Sequence, residues 1–153
     1  AITLLLLLFA VDWRHFRDWI AVFLFTCTLA LLVGSPVCEM GLVEYPVRLF
    51  PEHYDTPVIF EAWVFPVLSV LYNQAVRERG PAAALGCALL FAAGVAAVEY
   101  PLGKYTDLIR YIRWTWLASF VTLAAAFLLS RAFLAFFRWG CDRFGPRPGR
   151  RPR

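Results

Sequence analysis

Three stretches of this chain carry no charge over lengths that match a lipid bilayer. They are Trp19 to Val37 with 19 residues, Pro81 to Val98 with 18, and Trp114 to Ser130 with 17. A helix crosses a hydrocarbon core about 30 Å thick with roughly 17–25 apolar residues. A soluble fold has no place for such runs. Composition agrees: 61% of the chain is hydrophobic and 17% charged, and mean hydropathy is +0.63. Disordered chains are poor in apolar residues and rich in charge, so disorder is excluded.

A fourth span is expected from Pro57 to Val76. Pro57 suits a helix start, and Pro66 in mid-span should kink it. This segment also carries Glu61. Ala1 to Val11 is uncharged and apolar except for Thr3, but 11 residues of helix cover only about 16 Å. It reads as a partial or truncated first span, and it lacks the basic start and small-residue cleavage site of a secretory signal. Gly34-Ser35-Pro36 should fray the end of the Trp19 helix. The last helix should run on as Arg131 to Trp139, where its arginines snorkel or the segment lies along the interface. The expected fold is an all-α integral membrane helical bundle. It has four full transmembrane helices plus a short N-terminal hydrophobic helix, or five spans if the first crosses. The bundle takes residues 1–139, and 140–153 form a basic Pro/Gly-rich tail.

Lys and Arg set the orientation. With the tail inside, the inner side carries Arg14, Arg17, Arg77, Arg79, Arg131, Arg138 and five tail arginines. The outer side carries Arg48, Lys104, Arg110 and Arg113. Eleven against four satisfies the positive-inside rule. The expected location is therefore the cell membrane, multi-pass, with the C-terminus cytoplasmic. The partners this implies are the lipid bilayer and either further copies or subunits of a membrane complex. The net charge of +4, scattered until the tail, does not imply nucleic acid.

Acids and tyrosines gather on the outer side. Val43-Glu44-Tyr45-Pro46 and Val98-Glu99-Tyr100-Pro101 are identical and 55 residues apart. Two helices separate them, so both are expected at outer helix ends, as in a parallel internal repeat or as a helix-exit motif arising twice. Glu61 lies about one turn inside its span. An ionised carboxylate there is expensive, so it is expected to have a partner or stay protonated. Arg113 is the natural partner, and Arg110 shares its helix face. Tyr72, 11 residues after Glu61, falls on the same face. The candidate site is thus Glu44, Glu61, Glu99, Arg110, Arg113 and Tyr72. It is either a ligand or ion site or an ion-pair network that fixes helix register.

Small residues in the Pro81 span, Ala82/Gly86 and Ala93/Ala97, permit close helix packing. Thr115, Ser119, Thr122, Ala126 and Ser130 share a face of the last span and read as packing, interhelical hydrogen bonds or an oligomer interface. Cys27, Cys38, Cys87 and Cys141 form no CxxC, and Cys38 and Cys141 fall on opposite sides. His15 and His53 do too, so a haem bridged by both is not expected. Metal and cofactor sites are expected to be none. No Ser-His-Asp set, HExxH, P-loop or GxGxxG occurs, and an enzyme is the minority reading.

Several segments together resemble a known pattern. They are the short first helix, the Glu44-Tyr45-Pro46-Val47-Arg48 loop, the Phe60-Glu61-Ala62-Trp63-Val64-Phe65-Pro66 helix ending in Leu71-Tyr72-Asn73, and the late Arg113-Trp114-Thr115-Trp116. From Asp12 to Ser130 the chain resembles a family of small uncharacterised polytopic membrane proteins of spore-forming Gram-positive bacteria. The resemblance implies localisation and topology and brings no settled activity; the tail lies outside it. Two functions stay open. One is a non-enzymatic module that binds a small ligand or cation at an outward-facing acidic and aromatic cluster, transporter-like or a sensor. The other is a structural or accessory subunit of a larger membrane complex or homo-oligomer.

Overall fold

The computed structural model describes residues 11–40, 43–44, 59–105, 110–111 and 115–144. Helix α1 runs Phe16–Glu39, after a short 3-10 turn at Trp13–His15. A π-helical turn at Phe60–Val64 leads without a break into α2, Phe65–Ala75. Helix α3 is Pro81–Tyr105 and α4 is Trp116–Phe144. Two strands of two residues, β1 (Val43–Glu44) and β2 (Arg110–Tyr111), form an antiparallel ribbon between the long connections. Apart from turns, the described residues are otherwise helical. Among them, three stretches are long and apolar enough to cross a membrane: Trp13–Gly34, Pro81–Pro101 and Trp116–Phe144.

Element ends differ from the sequence-based expectation in four places. Gly34 and Pro36 do not end α1, which continues to Glu39 with Pro36 inside it. Arg17 and Asp18 belong to its first turns, ahead of the charge-free run that begins at Trp19. Pro101 likewise does not stop α3, which reaches Tyr105. A proline costs one backbone bond and bends the helix, and a helix already laid against its neighbours tolerates that near its end. The last helix does not stop at Trp139 but runs on to Phe144, taking in residues expected to start the tail, as one helix of 29 residues about 43 Å long. The first ten residues, Arg113 and the tail from 145 lie outside the described residues.

Pro66 does more than bend its helix. It has no N–H to give, and its ring crowds the turn before it. The chain answers with a wider turn, in which Phe65 N–H bonds Phe60 C=O five residues back.

Helix α2 sits among the other three, while α3 packs along α4 and α1 crosses α2 and α4. Ala84, Ala88 and Ala92 form the packing stripe of α3 and let α4 approach closely. The Ala82/Gly86 and Ala93/Ala97 pairs face outward instead: Ala82, Gly86, Ala93 and Ala97 are exposed. Phe127 of α4 is the aromatic hub, with ring centroids 5.3 Å from Phe65, 5.3 Å from Tyr72 and 5.7 Å from Phe91.

Candidate functional site

The polar side chains of the bundle divide between its two ends. Around Arg77 they tie helices together. Arg138 Nε donates to Asp18 Oδ2 at 2.9 Å, joining α4 to α1. Arg131 donates to Val76 C=O at 2.7 Å and Arg79 C=O at 2.9 Å, satisfying one carbonyl at the C-cap of α2 and one in the turn that follows. Arg77 lies 2.8 Å from His15 Nδ1, and Asp12 N–H donates to Gln74 Oε1 at 2.9 Å. Deeper in, Asn73 Nδ2 donates to Ser130 Oγ at 2.8 Å, and Ser130 donates to Phe127 C=O at 2.7 Å. Each of these contacts has a structural task.

The other end holds a cavity of about 300 Å³. Its walls come from α1 (Leu29, Ala30, Val33, Gly34, Val37), from the π turn and α2 (Phe60, Glu61, Phe65), from α3 (Glu99) and from α4 (Ser119, Thr122, Leu123, Ala125, Ala126, Leu129). Two carboxyl groups on different helices therefore line one mainly apolar space. Glu61 is 8% exposed and lies within the π turn. Its carboxyl rests against the backbone of α1 at Gly34. A Cβ placed on Gly34 would lie 2.6 Å from Glu61 Cδ and closer still to Oε1, so only glycine leaves that room. Glu99 is partly buried, and the Ser119 hydroxyl of α4 donates a hydrogen bond to it. No group of three or more metal-ligating side chains occurs among the described residues.

The sequence-predicted residues fall in three places. Glu61 and Glu99 meet in the cavity. Glu44 and Arg110 stand opposite each other in the β1–β2 ladder. Arg113 lies outside the described residues, and with it the expected Glu61–Arg113 pair. Tyr72 does not line the cavity. It is fully buried in the core, its hydroxyl donating to Ala84 C=O at 3.1 Å. The expected shared face with Glu61 assumed 100° per residue, and the π turn between them rotates the later residues away. The two Val-Glu-Tyr-Pro copies also part company. The first holds strand β1 and the second lies within α3, so they do not form a structural repeat.

Sequence reasoning missed Gly34 as a site residue, because a glycine beside Ser and Pro reads as a helix end. Its signal was that a helix-interior glycine marks a close approach. The small polar face of α4 was noticed, and it is divided in use. Ser119 and Thr122 line the cavity, Ser130 bonds Asn73, and Thr115 Oγ1 accepts from Ala118 N–H as a helix cap.

What the fold and cavity define is a helical bundle with membrane-compatible helices and an acidic, apolar-walled pocket. Compared with protein-family models, with curated proteins and with solved structures, the chain matches none.

Proposed function

We propose that this is a multi-pass membrane protein that binds a small cation or cationic ligand in the Glu61/Glu99 cavity, as a transporter-like or sensor module without catalytic chemistry. The observation that carries the reading is the convergence of these two carboxyls on one apolar space. Carboxylates at membrane depth are costly and mark ion or substrate sites unless they are spent on structure. In this reading the π turn with α2 is the fourth span, the Arg77 end is cytoplasmic by the positive-inside rule, and the cavity opens toward the outer side.

The test is thermal unfolding of the detergent-solubilised chain at constant ionic strength, across chlorides of potassium, calcium, manganese and quaternary ammonium ions. A cation held at about 100 times its Kd stabilises by about 2.7 kcal/mol, which is a shift of several degrees. At least one should raise Tm in the wild type and not in Glu61→Gln/Glu99→Gln. A wild type whose Tm answers to none of them overturns the reading.

A second reading, a subunit of a larger assembly or homo-oligomer, is favoured by the outward face of α3. There Ala82, Gly86, Ala93, Gly94 and Ala97 are exposed, and small residues let helices approach closely in lipid. The mass of the solubilised particle separates it from a monomer.

A further inference from the structure

We infer that the occupant of the cavity is a hydrophobic organic cation: a quaternary ammonium, a phosphonium or a protonated amine on an apolar body. This rests on the reading of the cavity as a cation site and names the chemical class. Among the described residues, the oxygen set is too small and too dispersed for a bare metal ion. Calcium takes about six to eight oxygen ligands and magnesium about six, at roughly 2.0–2.6 Å. The side-chain oxygens here belong to Glu61, Glu99, Ser119 and Thr122, on three different elements, and the Ser119 hydroxyl is already given to Glu99.

Volume points the same way. About 300 Å³ is the lower range of small-molecule sites. Filling it with water around an ion would take about ten molecules at about 30 Å³ each, against hydrocarbon walls that offer them few partners. An apolar body suits those walls, which include Val33, Leu123, Phe60 and Phe65. The two phenyl rings, with centroids 6.4 Å apart, are also the residue type that attracts desolvated cations. Gly34 completes the fit. The notch it leaves takes the Glu61 carboxyl back against α1, so the charge sits at the wall and the middle of the cavity is left to the ligand's body.

The experiment is calorimetric titration of the full chain in detergent with benzyltrimethylammonium, which fits the cavity, and with benzylsulfonate as an anion of similar shape. The expected result is saturable binding of benzyltrimethylammonium alone, weakened at least tenfold in Glu61→Gln and in Glu99→Gln. Micelle partitioning is common to all three proteins and cancels. If a Gln variant does not fold, Thr122→Leu serves instead. It fills the cavity while keeping both carboxyls, and it too should weaken binding tenfold. If benzyltrimethylammonium shows no carboxyl-dependent binding, while calcium or manganese gives saturable, Glu61-dependent heat, the chemical class is wrong and the cation site stands. If neither class of cation gives carboxyl-dependent heat, both readings fall.

Discussion

Gly34 and Glu61 show how one missing methyl group can define a site. Gly34→Ala brings a Cβ to 2.6 Å from Glu61 Cδ, so the carboxyl or the helix must move. Overpacking of this kind costs about 1–3 kcal/mol. The loss should vanish in Gly34→Ala/Glu61→Ala, where the carboxyl is gone and alanine favours the helix by about 1 kcal/mol over glycine. Thermal unfolding of the two singles and the double, read as a cycle, checks this. Equal destabilisation by Gly34→Ala in both backgrounds would show that the two residues do not touch.

At the scale of the element, the π turn places Glu61. Pro66→Ala restores an N–H and removes the ring that crowds Phe60–Val64, which lets the segment relax to a regular α-helix. Stability should hold or rise, while cation-dependent stabilisation falls, because Glu61 turns off the cavity wall. A loss of stability with the cation response intact contradicts the assignment. The same element shows why part of the site was legible in the sequence and part was not. Charge-free runs and the carboxyls set in or beside them are local signals, so the long apolar helices, Glu61 and Glu99 could be read directly. The π turn is a response of backbone to proline and neighbours together, and it broke the even period that put Tyr72 beside Glu61. The ribbon that sets Glu44 across from Arg110 joins residues far apart in the chain, and strands of two residues leave no periodic signal. Ala84, Ala88 and Ala92 were hidden among equally small neighbours, where the choice of buried face belongs to α4 rather than to α3.

For the whole molecule, Asp18 and Arg138 join the first described helix to the last. The pair is partly exposed, so its worth is modest, about 0.5–1 kcal/mol of coupling between Asp18→Asn and Arg138→Gln. A double-mutant cycle of thermal unfolding should find that coupling, reduced at high salt; additivity would mean that the helices meet without its help. Such ties gather around Arg77, whereas Pro36, Pro66 and Pro101 all fall in the parts of their helices nearest the cavity. Each proline strips its helix of one rung, and a helix missing a rung bends more readily there. The bundle is therefore mechanically uneven, with a stiff foot of crossed arginine contacts and a compliant rim around the acidic pocket. A rim of that kind conforms to guests of different girth without disturbing its foundation, and it concentrates whatever motion the protein makes where its two carboxyls stand.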